Sequence, residues 1–362
     1  MIEFQGVSKV FAGHPAVKDL TLELREGAFS VLVGTSGSGK STTLKMINRL
    51  LEPDRGTIRF AGEDIRLQPV LTLRRRMGYA IQSIGLFPHW TVAQNIATVP
   101  QLQKWPRARI ADRVDELMAL LGLEATLRDR YPHQLSGGQQ QRVGVARALA
   151  ADPEVLLMDE PFGALDPVTR EALQQEMLRI HRLLGRTIVL VTHDIDEALR
   201  LADHLVLMDG GEVVQQGAPL AIYDQPCNTF VARFIGSPPM NLLPGQRDVR
   251  NGQPGVACGA LWFPLAERWH QAVANQGDAP LIVGLRPQDI LPDAHGALAT
   301  VNIMEVTGES TLLHLDWQGF PVHVQVAGRV AVAAQQTLGL TLRCESLHLF
   351  DAASGERLAE TR

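Results

Sequence analysis

The sequence is poor in cysteine and in long apolar runs, and both shortages narrow the possible functions. Its three cysteines, Cys227, Cys258 and Cys344, lie far apart, so neither a disulfide framework nor a zinc site is predicted, which fits a reducing cytosol. No run approaches the roughly 18 apolar residues of a membrane-spanning helix. The first residues, MIEFQGVSKVF, also lack the apolar core of an export signal. We therefore expect any membrane role to come through a partner protein.

Positive charge is scarce and dispersed. The chain has 34 lysines and arginines against 39 acidic residues, a formal charge of −5, and its one long basic run is Arg74-Arg75-Arg76. Nucleic-acid binding normally requires a basic patch, so we predict no nucleic-acid partner. A length of 362 residues with 45% hydrophobic side chains instead favours two globular domains, each with its own core.

One stretch concentrates glycines, hydroxyls and a lysine on a predicted strand-to-helix turn. Phe29–Val33 is an apolar run typical of a buried strand, and 43–51 is predicted to be helical. The spacing G-x-x-x-x-G-K-[ST] is that of a phosphate-binding loop, in which backbone N–H groups and a helix N-terminus surround an anion. A nucleoside triphosphate is the predicted ligand, with Lys40 on its terminal phosphates and Ser41 on Mg²⁺. The loop consists of Gly34, Thr35, Ser36, Gly37, Ser38, Gly39, Lys40, Ser41 and Thr42.

Residues 1–235 alternate β-like runs with amphipathic helices, which predicts an α/β domain with a mostly parallel sheet covered on both faces. The runs at 154–159 and 187–191 are continuously apolar, as in strands buried on both sides. Between them, Asp166-Pro167 predicts a helix start and Gly185 a helix end. The stretch from about 85 to 150 is mostly helical in pattern, and we interpret it as an insertion in the α/β domain.

The character of the sequence changes after GSPPMNLLPG, residues 236–245. Alternating apolar and polar residues at 322–326 and 338–342 predict half-buried strands, with a turn at 316–319 between strands. We predict a linker over 236–280 and a small all-β domain over 281–362. The expected form of that domain is a five-stranded barrel of the OB type.

A second chemical element follows the strand at 154–159, which ends in Asp159-Glu160. An aspartate at the carboxyl end of a strand can hold Mg²⁺, and the next carboxylate can polarise an attacking water. Phosphoryl transfer from ATP to water needs little beyond this positioning and charge stabilisation. An apolar run followed by DE is a weak signal alone, because such runs are common.

The sequence LSGGQ, residues 135–139, lies 23 residues before Asp159 (159 minus 136) and resembles the signature of the ATP-binding cassette (ABC) ATPases. The other elements of that family follow in its order. They are Gln82 after a predicted strand, GALD at 163–166 and His193 in VTHD. The resemblance covers about the first 235 residues, and it implies a P-loop NTPase fold.

The resemblance also implies roles for these residues. Two cassettes meet head to tail, so each ATP lies between the loop of one chain and the signature of a second copy. Glu160 is then the general base, His193 contacts the γ-phosphate, and Phe11 stacks on adenine. Mg²⁺ is held by Ser41, Gln82 and Asp159, and Gln82 also serves the attacking water. From the partner copy come the signature Ser136, Gly137, Gly138 and Gln139, while Asp166 belongs to the D-loop.

The resemblance further implies that the ATPase drives solute import. The run from Gln82 to Ile96 is similar to that of importer ATPases, in which the apolar cluster Leu86, Phe87, Pro88 and Trp90 would receive a membrane permease. Residues 283–290, VGLRPQDI, resemble the regulatory TOBE domain of binding-protein-dependent importers, so the expected partners are permease subunits and a periplasmic or lipid-anchored solute-binding protein. The expected location is the cytoplasmic face of the inner membrane.

The expected solute is an osmoprotectant. The runs at 43–53, 74–96 and 166–170 are most similar to ATPases that import glycine betaine, choline and related osmoprotectants. The tail is instead more similar to that of sugar and glycerol-phosphate importers, which remains the alternative. A soluble ABC ATPase without a transport role is the alternative of another class.

Overall fold

The chain is described from a computed structural model, which covers residues 1–81, 85–330, 332–333 and 335–360. It divides into two compact units, Met1–Pro219 and Leu220–Arg362. Within the described ranges no helix combines the length and apolar character needed to cross a membrane.

Two sheets form the first unit. A four-stranded antiparallel sheet has the order β2-β1-β4-β5, and a six-stranded sheet has the order β10-β9-β3-β8-β7-β6. In the second sheet β9, β3, β8, β7 and β6 pair in parallel, and β10 is antiparallel to β9. The strands are β1 Ile2–Phe11, β2 His14–Leu24, β3 Phe29–Gly34, β4 Arg55–Phe60, β5 Glu63–Asp64, β6 Met77–Ala80, β7 Val155–Asp159, β8 Thr187–Val191, β9 His204–Asp209 and β10 Glu212–Gly217.

The helices of this unit follow the strands in alternation, except that three of them lie together between β6 and β7. Those three, α3–α5, occupy the stretch for which the sequence predicts a helical insertion. The helices are α1 Lys40–Ile47, α2 Val70–Arg75, α3 Val92–Leu102, α4 Arg107–Leu120, α5 Gly137–Leu149, α6 Pro167–Leu184 and α7 Ile195–Leu201. The α/β domain with a mostly parallel sheet, predicted from the alternation, is therefore confirmed.

The prediction for the helix after the phosphate loop was wrong in its bounds. It spans 40–47 rather than 43–51, because Gly39 adopts a left-handed conformation (φ 93°) from which the chain enters the helix directly at Lys40. The consequence is functional, since both Lys40 and Ser41 lie in the first helical turn. Their side chains therefore start from a fixed backbone.

The centre of the six-stranded sheet determines where functional side chains meet. Strands β3, β7 and β8 are buried at every residue, as expected for parallel strands covered on both faces. They are neighbours in the order β3-β8-β7, so the segments after their carboxyl ends lie side by side. Ligands of open α/β sheets bind at that edge.

The second unit consists mainly of two antiparallel sheets. One has the order β13-β12-β11-β14-β19 and the other β17-β16-β15-β18, and one apolar cluster joins them. The elements are α8 Pro219–Asp224, α9 Thr229–Phe234, β11 Asn241–Arg250, β12 Gln253–Cys258, β13 Leu261–Pro264, α10 Glu267–Gln276, β14 Leu281–Leu285, β15 Ile290–Val306, β16 Ser310–Trp317, β17 Phe320–Ala327, β18 Thr337–Leu342 and β19 His348–Asp351.

Two predictions for this region differ from the structure. The segment 236–280, predicted to be a linker, contains β11, β12, β13 and α10, and the boundary between units lies at Pro219 rather than at 235. The expected five-stranded barrel is also wrong, because the described strands form two sheets of five and four strands. These predictions failed because β11 pairs not only with the next strand, β12, but also with β14, which is distant in sequence.

Arg286, in the stretch that resembles the TOBE domain, has a structural position in this unit. It is 2% exposed, and its guanidinium donates hydrogen bonds to the carbonyl oxygens of Ala232 (3.2 Å), Ile235 (2.5 Å) and Tyr223 (2.7 Å). Burial lowers the pKa of Arg286. The side chain thus satisfies carbonyl groups that the short helices α8 and α9 leave without helical partners.

Candidate active site

The loop between β3 and α1 borders an open cavity of about 690 Å³. Gly37 and Gly39 have φ values of 80° and 93°, which glycine adopts without strain. A Cβ atom on Gly39 would lie only 2.3 Å from the carbonyl oxygen of Ala16, so a side chain there would displace the loop. The cavity is lined by Ala16, Ser36, Gly37, Ser38, Gly39, Lys40, Ser41, Thr42, Glu160 and His193.

Lys40 is held inside this loop. It is 6% exposed, and its ammonium group donates hydrogen bonds to the carbonyl oxygens of Gly34 (2.9 Å) and Thr35 (2.8 Å). Burial lowers the pKa of Lys40, and the nearby carboxylates of Glu160 and Asp159 act in the opposite direction. The loop therefore holds a partly desolvated cation that an anionic ligand would stabilise.

Ser41 and Asp159 are 118 residues apart in sequence but adjacent in space. The Ser41 hydroxyl donates a hydrogen bond to Asp159 Oδ1 at 2.8 Å, and Lys45 Nζ lies 3.8 Å from Asp159 Oδ2. The carboxylate is nearly buried, at 4% exposure, because Asp159 ends β7. A hydroxyl and a carboxylate oxygen thus face one point at the edge of the sheet.

Glu160 and His193 form the other side of the cavity. Glu160 has a positive φ of 45°, a strained conformation for this residue type. Its N–H donates to the carbonyl oxygen of Val191 at 2.9 Å, which fixes the backbone against β8. His193 Nδ1 lies 3.3 Å from Glu160 Oε2. The two side chains predicted to act together are therefore in contact.

Other predicted site residues lie outside this cavity. Phe11 ends β1, where its ring is 43% exposed and Lys9 Nζ lies 5.4 Å from the ring centroid. Gln82 falls outside the described residues. Asp209 is not among the predicted site residues, yet it accepts a hydrogen bond from the Thr35 hydroxyl at 2.6 Å. It ends β9, beside β3, and adjacent strand ends are the signal that would have selected it.

The LSGGQ stretch begins α5. Ser136 caps the helix: its hydroxyl oxygen accepts a hydrogen bond from the N–H of Gln139 at 3.3 Å, and the Gln139 side chain accepts one from the N–H of Ser136 at 2.9 Å. The hydroxyl proton of Ser136 and the N–H of Gly137 are left to bind an anion. Among the described residues that line the cavity, none comes from 136–139.

The start of α5 contacts the start of α6. A Cβ atom on Gly138 would lie 2.2 Å from Cγ2 of Thr169, so a larger residue there would have to displace the Thr169 side chain. Asp166, predicted to be in the D-loop, caps α6 by accepting a hydrogen bond from the N–H of Thr169 at 3.0 Å. The hydrogen bond of the Thr169 side chain, together with that of the Thr169 N–H, lowers the pKa of Asp166. The signature and the D-loop are thus joined by direct packing within one chain.

The fold and this cavity define a phosphate-loop nucleoside triphosphatase of the cassette type, and comparisons with known proteins identify its family. The family model described as ABC transporter matches residues 17–163. The glycine betaine uptake system ATP-binding protein YehX of Escherichia coli (strain K12) is 81% identical over 236 residues, which are 65% of this chain and 77% of YehX. The glycine betaine/carnitine/choline transport ATP-binding protein OpuCA of Bacillus subtilis (strain 168) is 53% identical over 237 residues, 65% of this chain and 62% of OpuCA.

Among solved structures, the dimeric bacterial ABC transporter cassette MJ0796 is similar with a TM-score of 0.56 and 33% identity, over 60% of this chain and 99% of that one. The similarities to MJ0796 and to YehX together identify the family of this chain. It belongs to the ABC transporter ATPases.

Proposed function

We propose that this chain is the ATP-hydrolysing subunit of an importer for glycine betaine, choline and related osmoprotectants. The proposal of ATP hydrolysis rests on one observation: at one edge of the sheet Ser41 is hydrogen-bonded to Asp159 and His193 contacts Glu160. The substrate part rests on the names of YehX and OpuCA, which are transport proteins for these solutes. A sugar or glycerol-phosphate importer is the alternative, which the TOBE-like stretch around Arg286 favours.

The residues at the cavity suit ATP with Mg²⁺. The Ser41 hydroxyl and the Asp159 carboxylate are hard oxygen ligands on one side of the phosphate loop, and Mg²⁺ is usually bound by one or two such ligands together with substrate phosphates. Gln82 is the third proposed ligand. When bound, Mg²⁺ neutralises charge on the β- and γ-phosphates.

Three side chains of this chain then have separate roles in hydrolysis. Lys40 exchanges its hydrogen bonds to Gly34 and Thr35 for phosphate oxygens. The Glu160 carboxylate accepts a proton from the attacking water, and His193, which touches Glu160, contacts the γ-phosphate. The strained backbone of Glu160 fixes the direction of its carboxylate, so little reorganisation is needed when the water attacks.

A second copy of the chain completes each site. The anion-binding groups of Ser136 and Gly137 start another helix and do not line the chain's own cavity. The solved cassette MJ0796 is dimeric, which supports a head-to-tail pair in which the signature of one copy faces the phosphate loop of the other. We propose that Phe11 contributes an aromatic face to the adenine, which its exposure permits.

The loop before α3 is the proposed permease contact. Phe87 is 39% exposed, and its ring centroid lies 4.5 Å from that of Trp90. Buried Asn95 holds the loop, because it accepts a hydrogen bond from the N–H of Phe87 at 2.8 Å and donates to the carbonyl oxygens of Phe87 (3.2 Å) and Trp90 (3.1 Å). An exposed aromatic ring packed on a half-buried one, in a loop held by hydrogen bonds, is typical of a protein interface.

The remaining partners follow from the importer assignment. Permease subunits would hold the ATPase at the cytoplasmic face of the inner membrane, and a solute-binding protein would select the solute. We propose that the second unit is a TOBE-like regulatory domain that contributes dimer contacts.

Replacement of the buried lysine tests the ATPase assignment. We expect Lys40→Ala to weaken ATP binding at least about tenfold, because a charge-assisted contact to phosphate is lost. Equilibrium binding of a fluorescent ATP analogue measures the effect. Lys104→Ala, in the turn after α3, is the matched control. Unchanged affinity in the Lys40 variant would exclude this cavity as the ATP site.

Uptake by cells tests the solute. In a strain that lacks the chromosomal gene, we expect the wild-type chain to restore uptake of labelled glycine betaine and the Lys40→Ala variant to restore none. Labelled maltose and glycerol 3-phosphate are measured in parallel. Restored uptake of either compound in place of glycine betaine would support the sugar or glycerol-phosphate alternative.

A further inference from the structure

A buried polar network lies beneath His193, and the proposed reaction does not use it. Thr192 is 2% exposed and Glu197 is 6% exposed. The Thr192 hydroxyl donates a hydrogen bond to Glu197 Oε2 at 2.5 Å and accepts one from the N–H of Asp194 at 3.0 Å. The turn that carries His193 is therefore held from inside the protein, on both sides of the histidine.

The network continues into α6, the helix that Asp166 caps. Gln174, 4% exposed, donates its side-chain N–H to Glu197 Oε1 at 3.4 Å. Arg170 Nη1 lies 3.6 Å from Asp194 Oδ2, and Arg170 Nη2 donates to the carbonyl oxygen of Leu165 at 3.2 Å. The turn at His193 and the D-loop segment are thus joined through two side chains of one helix.

A small cavity separates this network from the proposed base. Its volume is about 40 Å³, and both Glu160 and Glu197 border it, together with Thr192, Asp194 and Arg170. It is polar and large enough for a water molecule. His193 has an exposed side chain, at 65%, so its direction depends on the backbone of 192–194 rather than on packing around the ring.

We propose that Glu197 is a positioning residue for His193: its carboxylate holds the Thr192 hydroxyl, Thr192 fixes the turn, and Gln174 ties that turn to α6. The inference rests on the proposed function, because it assumes that His193 serves ATP hydrolysis. The Glu197 carboxylate is hydrogen-bonded to Thr192 and Gln174, and we propose that it acts on the reaction through Thr192.

The charge state of Glu197 makes this role dependent on pH. Burial raises the pKa of Glu197 to about 7, and Asp194 acts in the same direction, while the bonds from Thr192 and Gln174 and the charge of Arg170 oppose it. Glu160 and His193 face Glu197 across the cavity, and Arg200 on its own helix reaches Gln174 (3.5 Å). Above about pH 7 the carboxylate is ionised and accepts the Thr192 proton, whereas below it the acid holds Thr192 less firmly.

Replacement of Glu197 by its neutral isostere tests the proposal. We expect the ratio of kcat between wild type and Glu197→Gln to be about ten at pH 8 and to approach one at pH 6, with KM for ATP within about twofold. Taking the ratio cancels other groups that titrate in both proteins. Glu171→Gln, an exposed carboxylate on α6 (60%), is the control and should give a ratio near one throughout.

Variants of Thr192 test the connection itself. We expect Thr192→Val, which removes only the hydroxyl, to reproduce the loss seen in Glu197→Gln, and Thr192→Ser to recover most of it. The double variant Thr192→Val/Glu197→Gln should be no slower than the slower single variant, since both changes break one contact. Additive losses would contradict the proposal.

Stability gives a separate readout. Because the folded pKa of Glu197 is raised, its contribution to stability is complete below the unfolded value near 4.5 and is lost as the pH rises through about 7. At pH 8 we therefore expect Glu197→Gln to melt at a higher temperature than wild type. At pH 5 we expect this difference in melting temperature to be smaller. A pH-independent activity ratio would overturn the positioning role even where this shift is seen. Retained ATP binding by Lys40→Ala would instead overturn the proposed function.

Discussion

Glu160→Gln is expected to lower ATP turnover by at least about a hundredfold, the usual contribution of a general base. The amide keeps the size of the side chain but cannot take a proton from water. ATP binding should remain, because the phosphate loop and the contact of Ser41 with Asp159 are unaffected. With binding intact and hydrolysis blocked, the two copies should stay closed around the nucleotide.

Release of phosphate measures the turnover, and light scattering with ATP and Mg²⁺ measures the mass of the particle. We expect the variant to run as a dimer with ATP and as a monomer without it, whereas wild type returns to monomer as ATP is consumed. Glu171→Gln controls for the loss of one carboxylate. Hydrolysis near the wild-type rate in Glu160→Gln would show that another group accepts the proton.

The first unit was predictable because its signals are local. Strands buried on both faces appear as continuous apolar runs, as at 155–159 and 187–191. The polar residues that follow such strands lie close together where the strands are neighbours in the sheet. The resemblance to the ABC ATPases implied that Ser41, Asp159, Glu160 and His193 serve one ATP, and the neighbouring strands bring Ser41 to Asp159 and Glu160 to His193. The strained φ of Glu160 is a property of the folded backbone and leaves no mark in the sequence.

The second unit was harder to predict because its pairing is not local. Gly245 looked like part of a linker, but a Cβ atom there would lie 2.7 Å from Val256 Cγ1 and 2.9 Å from Val283 Cγ2, so this glycine marks close packing within a strand. One local signal was overlooked. Asn251-Gly252, with φ of 52° and 77°, forms a two-residue turn between β11 and β12, and Asn-Gly is a strong hairpin signal.

The network beneath His193 was missed for a related reason. Glu197 lies in an ordinary helical sequence, IDEALRL, in which an acidic residue in the first turn indicates an exposed position that favours the helix dipole. Its carboxylate is buried where Gln174 of α6 reaches it from 23 residues away. Only the fold distinguishes this carboxylate from its exposed neighbour Asp196.

Mixing two inactive variants is expected to restore ATP hydrolysis if each site is shared between two chains. Lys40→Ala damages the phosphate loop of one site. Gly138→Val damages the signature that serves the other copy, because a branched side chain there must displace Thr169, whose Cγ2 lies 2.2 Å from the position of a Cβ atom. In any dimer formed by one variant alone, both sites are defective. A mixed dimer contains one site with Lys40 from one chain and Gly138 from the other.

With equal amounts and random pairing, about half of the dimers are mixed and each has one intact site, so the mixture should reach about a quarter of wild-type activity. A mixture of Lys40→Ala and Glu160→Gln is the matched control, since both residues belong to the same half of the site and mixing leaves each site defective. Recovery in the first mixture but not in the second can arise only from a site shared across the interface. No recovery in either mixture, with mixed dimers verified by affinity tags, would mean that the Ser136 helix acts elsewhere.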